Sequence, residues 1–131
     1  MKFYREMKAV KEGLEVLGYD VLVPIEVKID KVPLEALPNI TDEEKITAKI
    51  EYNFIREHFF KIQISEAVLV LNYEKNGIPG YIGGNTFLEM GYAFGLGKKI
   101  YLMNPVPRMD YAVEMHAMKP IVIHGDLGKI G

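Results

Sequence analysis

The spacing of apolar residues changes repeatedly along the chain between two periods, and this predicts alternating helices and strands. Near the start, Val10, Leu14 and Leu17 are spaced by three or four residues, as on the buried face of a helix. The apolar run at residues 67–71 is uninterrupted, which is typical of a strand buried on both sides. The same patterns predict helices near residues 3–17, 42–62, 86–97 and 110–118, and strands near 20–23, 67–71, 99–103 and 120–123.

The predicted elements follow one order, a helix and then a strand, repeated four times. With buried strands, this order predicts an α/β fold in which a parallel sheet is covered by helices on both faces. No repeat, low-complexity tract or change of composition divides the sequence, so we expect a single domain over residues 1–131. Doubly wound domains usually open with a strand. This sequence opens with a predicted helix and lacks the usual first strand, so either the fold starts with a helix or the chain starts one strand late.

Local signals mark where the predicted elements begin and end. Thr41 and Glu44 have the spacing of a capping box at the start of the second helix. Gly18 follows the first helix, at a position where glycine commonly ends a helix. Between them, prolines divide residues 25–40 and predict an irregular connection. Such a connection serves either as a lid or contact surface, or as an insertion without a role.

Composition and charge exclude several classes of function. The 131 residues contain no cysteine, which excludes disulfides, thiolate metal sites and a cysteine nucleophile. The net charge is −2 and there is no long basic run, so we expect neither a nucleic-acid polymer nor a membrane as partner. The charged start does not resemble a signal peptide, and we expect a cytoplasmic protein. The histidines at 58, 116 and 124 lack metal-ligand spacing, so no metal is expected, and His58 is expected to be an ordinary helix residue.

A glycine-rich loop follows the strand predicted at residues 67–71. Ligands of open α/β sheets bind beyond the carboxyl ends of the strands, where this loop lies. The glycines at 77, 80, 83 and 84 would let the backbone approach a ligand. Asn85 and Thr86 would cap the next helix, whose free N–H groups favour an anion. The alternative is a flexible loop followed by an ordinary cap. One of the tyrosines near this cleft could stack on a base, although core packing explains most of them equally well: Tyr73, Tyr81, Tyr92 and Tyr101.

Glu89 has two interpretations. Thr86 and Glu89 have the spacing of a capping box, which would be a structural role. A carboxylate one turn into a helix beside a ligand cleft is also well placed to act as a nucleophile. Gly91, Gly95 and Gly97 are unusual in a helix and predict close packing on the sheet or on another subunit.

Residues 84–93 (Gly-Asn-Thr-Phe-Leu-Glu-Met-Gly-Tyr-Ala), followed by Gly97, Lys98 and a predicted strand, resemble the nucleoside 2-deoxyribosyltransferase superfamily. That superfamily includes the 2′-deoxynucleoside 5′-monophosphate N-glycosidases. The resemblance implies a three-layer, flavodoxin-like fold with the nucleophile at Glu89. It also implies cleavage or transfer at the N-glycosidic bond of a (deoxy)nucleoside or its 5′-monophosphate, through a covalent sugar intermediate and without a cofactor. Subunits of this family complete one another's sites, so a homo-oligomer is expected.

Further site residues are assigned by position in the sequence. Glu74 and Asp110 are candidates for the acid that protonates the leaving base. The candidate substrate-binding residues lie at the strand end, in the loop and at the helix start: Asn72, Tyr81, Gly83, Gly84, Asn85 and Thr86.

The sequence departs from the family pattern in three places. Asn72 stands near the position of a family aspartate, the loop at residues 76–84 is longer than expected, and the first strand is missing. In flavodoxin-like order that strand would be central. Its loss would leave backbone groups unpaired, so we expect compensation by a rearranged strand order, a filling segment or a partner chain.

Two other functions stay open beside the enzyme. One is a non-catalytic nucleotide-binding module of the same fold, which Asn72 and the missing strand favour. The other is an oligomer-forming structural protein whose glycine-rich helix is an interface. Turnover of deoxynucleosides would separate the enzyme from both alternatives, and stabilisation by a nucleotide without turnover would indicate the binding module.

Overall fold

The computed structural model describes residues 4–23 and 41–131. Its helices are α1 (Tyr4–Val16), α2 (Asp42–Gln63), α3 (Gly84–Gly95) and α4 (Ala112–Ala117), its strands are β1 (Ala67–Val70), β2 (Lys99–Leu102) and β3 (Ile121–Val122), and a 3-10 turn covers Leu127–Lys129. The irregular connection predicted at residues 25–40 lies outside the described residues. Among the described helices, none combines the length and hydropathy needed to cross a bilayer.

The three strands form one parallel sheet in the order β1-β2-β3. Val68 lies opposite Ile100, and Leu102 lies opposite Val122. Backbone bonds extend the ladder one residue beyond the strands, because the Met103 N–H donates to Val70 over 3.0 Å. The predicted α/β class and the parallel sheet are therefore confirmed. Within the described residues, no strand pairs with the other edge of β1.

The strand predicted at residues 20–23 is not formed. Residues 21–23 have no regular structure, and Leu22 is 50% exposed. The carbonyl of Val23 accepts a hydrogen bond from the Lys61 ammonium, near the end of α2. Three apolar residues satisfy the sequence pattern of a strand, but a strand also needs a neighbour to pair with. Here the segment is held by a side chain instead of the sheet.

The core lies around β2, the central strand of this sheet. Ile100 and Leu102 belong to one buried cluster, which also contains Met90 and Ala93 of α3, Ile62 of α2 and Met115 of α4. Tyr101 and Met103 belong to a second cluster with Ile123, against which Val10 of α1 packs. Successive residues of a strand point to opposite faces, so both faces of β2 are covered. This explains why its sequence is apolar without alternation.

The helix ends confirm the local signals at two predicted positions. The Thr41 hydroxyl accepts a hydrogen bond from the Glu44 N–H at 3.1 Å and caps α2. Gly18 has φ of +93°, and Tyr19 N–H bonds back to the Leu14 carbonyl over 3.1 Å, which closes α1.

The glycines of α3 differ from expectation. Gly97 is not inside the helix, because its φ of +74° and the bond from Lys98 N–H to Ala93 make it the left-handed residue that ends α3. A Cβ at Gly91 would meet only a methionine methyl at 3.9 Å, and one at Gly95 would meet nothing within 4 Å. Close packing on the described residues therefore does not require glycine at Gly91 or Gly95.

Candidate functional site

The start of α3 differs from the sequence prediction. The helix begins at Gly84, and its N-cap is Gly83, which makes no side-chain cap bond. The first helical bond runs from Phe87 N–H to the Gly83 carbonyl over 2.9 Å. Asn85 and Thr86 therefore lie inside the first turn, and the capping box between Thr86 and Glu89 is not formed. Glu89 lies in the second turn, where the effect of the helix dipole has weakened.

Glu89 is instead bonded to a histidine of the neighbouring helix. Its Oε1 lies 2.7 Å from Nδ1 of His58. The side chain of His58 is 8% exposed and that of Glu89 is 23% exposed. The His58 ring also lies against the Phe54 ring, with centroids 4.1 Å apart. The carboxylate is thus held from the buried side and remains open on the other.

The hydrogen bonds determine which nitrogen of His58 carries the proton. An ionised Glu89 is acceptor-only, so Nδ1 must donate to it. Nε2 is buried and has no partner among the described residues. A proton on Nε2 would be a buried donor without an acceptor, which is costly. We therefore assign a proton to Nδ1, on the basis of this hydrogen bond and not by observation of the proton.

Helices α2 and α3 run parallel along a shared seam. Besides the pair at Glu89, Asn85 Nδ2 donates to Glu51 over 2.7 Å, and the rings of Phe59 and Tyr92 stack with centroids 4.2 Å apart. Along α2 and α3, the residue numbers of the contacting pairs increase together, which shows that the helices run parallel. The pairs are Glu51–Asn85, His58–Glu89 and Phe59–Tyr92. Asn85, predicted as substrate-binding, thus joins the start of α3 to α2.

Asn72 links the segments that follow β1 and β2. Its side chain is buried, and its Nδ2 donates to the Asn104 carbonyl at 2.7 Å and lies 3.3 Å from the Gly80 and Pro105 carbonyls. Its Oδ1 accepts from Asn104 N–H at 2.9 Å. An aspartate would have no donor for these carbonyls. The amide of Asn72 therefore has a structural role at this position. Whether Asn72 also contacts a substrate stays a prediction.

The glycine-rich loop is anchored to its surroundings. Asn76 and Gly77 both have positive φ, 53° and 75°, and form a tight turn between Lys75 and Ile78. Gly80 has φ of +69°, and a Cβ there would lie 2.6 Å from the Pro105 carbonyl oxygen. The loop thus needs glycine at this position because of both its backbone angle and its close approach to the next loop.

A second group of predicted residues surrounds Tyr111. The Tyr111 hydroxyl donates to the Ile82 carbonyl at 2.6 Å, and its ring stacks on Phe87. Burial, with smaller contributions from Tyr81 and Asp110, raises the pKa of Tyr111 above its usual value. Tyr81 also lies 3.5 Å from the position of a Cβ at Gly83. Tyr81 and Asp110 are therefore near enough to Tyr111 to affect its pKa, and Gly83 adjoins Tyr81.

The described contacts place the predicted residues in two groups. Asn85 and Glu89 lie on the seam between α2 and α3, whereas Asn72, Tyr81, Gly83 and Asp110 belong to the loops after β1 and β2. Gly84 and Thr86 lie in the first turn of α3, between the loop and Glu89. Glu74 is exposed at the beginning of the loop. Neither Glu74 nor Asp110 forms a hydrogen bond or ion pair with Glu89 in the described part of the chain.

His58 is the functional candidate that the sequence analysis missed. It lies four residues after Phe54 and four before the buried Ile62, in the middle of an apolar helical stripe. A histidine at such a position is buried and needs a partner. The spacing signals the burial, but nothing in the sequence identifies Glu89 as the partner.

No three histidine or acidic side chains of the described residues are grouped so that they could hold a metal ion. In comparisons with protein-family models, curated proteins and solved structures, none matched the chain.

Proposed function

We propose that this protein cleaves or transfers the N-glycosidic bond of a (deoxy)nucleoside or nucleoside 5′-monophosphate, with Glu89 as the nucleophile. The observation that carries the proposal is the bond from His58 to a single oxygen of Glu89. A glutamate that merely capped α3 would point to the helix end, whereas this one is held at one oxygen and is partly open to solvent. The resemblance of residues 84–93 to the deoxyribosyltransferases supplies the reaction class.

The reaction would follow the retaining course of glycosidases. The free oxygen of Glu89 attacks C1′ of the sugar with an electron pair. The C1′–N bond breaks, and its electrons leave with the base, which takes up a proton. Water or a nitrogen of a second base then attacks C1′, loses a proton and releases the Glu89 carboxylate. Glu74 and Asp110 remain the proposed sources of the proton for the leaving base.

The rest of the proposed site lies at the carboxyl edge of the sheet. The loop from Tyr81 to Gly84 and the first turn of α3, with Asn85 and Thr86, would contact the substrate. The N–H groups at the start of α3 have no side-chain cap, and such groups suit a 5′-phosphate. Tyr81 would stack on the base.

The proposed architecture is the three-layer flavodoxin-like fold without its first strand. The parallel order β1-β2-β3 and the two clusters on either side of β2 support this proposal. In that architecture a first strand would pair with the edge of β1 that no strand of the described residues covers. We also propose a homo-oligomer: Leu88, Gly91 and Gly95 share one face of α3, and Leu88 and Gly95 are exposed.

One observation favours the alternative of a non-catalytic nucleotide-binding module. Asn72 replaces the family aspartate, and its amide is already engaged with backbone groups. Neither Glu74 nor Asp110 is bonded to Glu89 in the described residues, so no contact identifies the acid that would protonate the base. A module of this kind would bind the nucleotide and leave its glycosidic bond intact.

The experiment incubates the protein with 2′-deoxynucleosides and their 5′-monophosphates and measures free base by chromatography. We expect turnover by the wild type and none by Glu89→Gln. The matched control is Glu114→Gln, which changes an exposed glutamate of α4 and should leave turnover unchanged. A 2-fluoro sugar analogue should leave a covalent adduct on Glu89, detected by mass spectrometry. Retained turnover in Glu89→Gln would remove Glu89 as nucleophile, and nucleotide binding without any turnover would favour the binding module.

A further inference from the structure

We infer that His58 is a positioning residue for Glu89, which holds one carboxylate oxygen so that the other faces the sugar. This inference rests on the proposed function. Its geometric basis is the 2.7 Å contact between Nδ1 of His58 and Oε1 of Glu89, across the seam between α2 and α3.

The histidine itself is fixed by its surroundings. It is almost fully buried, and its ring lies 4.1 Å from the ring of Phe54, measured between centroids. The bond between Asn85 and Glu51 and the stacked rings of Phe59 and Tyr92 join the same two helices on either side of the pair. A donor held on a packed helix restricts the rotation of the Glu89 carboxylate more than solvent could.

The bond selects one oxygen of Glu89 for the reaction. Oε1 accepts the proton of Nδ1, and Oε2 makes no hydrogen bond to the described residues. An oxygen without a donor keeps its electron density and needs no bond broken before it attacks C1′. Oε2 is therefore assigned as the attacking atom, with Oε1 as its anchor.

His58 acts through Glu89 and does not supply the proton for the base. Its Nδ1 is engaged with Glu89, and its Nε2 is buried and has no partner among the described residues. Its Nδ1 proton stabilises the carboxylate throughout. The acid of the reaction must therefore be a different group, and His58 touches neither the sugar nor the base.

The test compares two substitutions of His58, one that keeps an N–H donor for Glu89 and one that removes it. His58→Asn can place an amide N–H near the position of Nδ1, whereas His58→Leu removes the donor and keeps an apolar side chain. We expect His58→Leu to lower kcat for base release by about 100-fold, the scale of a misplaced reacting group, with KM changed by less than about threefold. The Asn variant should retain kcat within about tenfold of the wild type, because a neutral donor is kept. His116→Leu, which changes an exposed histidine of α4, is the matched control and should be unchanged.

The rate of covalent labelling by the 2-fluoro analogue gives a second readout, because it isolates the attack of Glu89, with loss of the leaving base, from the later attack of water or a second base on the intermediate. It should fall in His58→Leu in parallel with kcat, in protein whose circular dichroism matches the wild type. A third readout does not depend on the folding of a variant. In ¹⁵N-histidine NMR of the wild type at neutral pH, His58 should carry its proton on Nδ1.

Several results would overturn the inference. If His58→Leu keeps kcat and the labelling rate within threefold of an active wild type, His58 has no positioning role while the proposed function stands. Proton attachment at Nε2 in the NMR experiment, or equal losses in the folded Asn and Leu variants, would also reject it. If the wild type itself neither turns over nor labels, the proposed function fails, and the role of His58 fails with it.

Discussion

Asn72 and Asn104 exchange three hydrogen bonds across the carboxyl ends of β1 and β2. Asn72 Nδ2 donates to the Asn104 carbonyl at 2.7 Å, Asn104 N–H donates to Asn72 Oδ1 at 2.9 Å, and Asn104 Nδ2 donates to the Asn72 carbonyl at 3.0 Å. Both side chains thus form hydrogen bonds with backbone groups beyond the ends of β1 and β2, where the backbone bonds between the strands have stopped. The pair fixes the spacing of the two loops that carry Tyr81 and Asp110.

The Asn72→Asp substitution should therefore destabilise the fold. A carboxylate cannot donate to the Asn104 carbonyl, and it would be buried against carbonyl oxygens. We expect a loss of about 2–3 kcal/mol in the free energy of unfolding, the cost of an unsatisfied buried charged group. Urea denaturation at neutral pH measures it. Asn76→Asp, at an exposed turn position that suits both residues, is the control and should change little.

The bond from His58 to Glu89 gives a stability prediction that does not depend on catalysis. Glu89→Gln keeps an acceptor for Nδ1 and should cost about 1 kcal/mol, the difference between a charged and a neutral hydrogen bond. Glu89→Ala leaves Nδ1 without a partner and should cost about 2–3 kcal/mol. Denaturant unfolding of both variants, with Glu114→Ala as the control, measures whether Glu89→Ala loses more free energy of unfolding than Glu89→Gln. Equal stability of the Ala and Gln variants would show that the bond is not formed in solution.

Stability should fall in alkali because of Tyr111. Its folded-state pKa is raised, chiefly by burial, so the folded protein releases this proton at higher pH than the unfolded chain. The stabilisation is then complete below about pH 10, the ordinary tyrosine value, and is lost as the pH rises from there through the folded value. Tyr111→Phe should unfold with a smaller dependence on pH between about 9 and 11 than the wild type.

Tyr73 contributes to the same alkaline dependence, since burial and then Glu6 raise its pKa. Tyr73→Phe should therefore also reduce the slope, and the double variant should reduce it most. At neutral pH, Tyr111→Phe should cost about 1 kcal/mol, because the bond to the Ile82 carbonyl is lost. Thermal unfolding at a series of pH values measures both effects. An unchanged slope in the double variant would contradict the alkaline dependence, and unchanged stability of Tyr111→Phe at neutral pH would contradict the cost of the lost bond.

The expected homo-oligomer can be tested through the exposed face of α3. Light scattering at micromolar concentration should give a mass above the 14.9 kDa of one chain. Leu88→Asp places a charge on the face that also contains Gly91 and Gly95, and should lower the mass towards that of one chain. Val113→Asp, an equally polar change at an exposed position of α4, should have no effect. A strict monomer in the wild type would reject the prediction.

The sequence alone predicted those parts of the fold that depend on interactions between residues close together in the chain. The period of apolar residues placed α2, β1 and β2 within one or two residues of their ends. The Thr41 cap and the Gly18 stop follow from bonds between residues at most a few positions apart. Where the apolar run was short, as at residues 20–23, the same reasoning failed, because strand formation depends on a pairing partner elsewhere in the chain.

The candidate site depended on tertiary structure. Glu89 could be singled out from the sequence, but its spacing from Thr86 fitted a cap as well as a nucleophile. The start of α3 at Gly84 excluded the cap, and the fold showed that Glu89 is paired with His58, 31 residues away in the chain, whereas its role as a nucleophile stays a prediction. In the same way, Asn72 could be identified as a departure from the family pattern, but not as the partner of Asn104. Patterns within one segment fix which face of a helix or strand is buried. Only the packing of α2 on α3, and the register of β1 on β2, decides which polar groups meet across those faces.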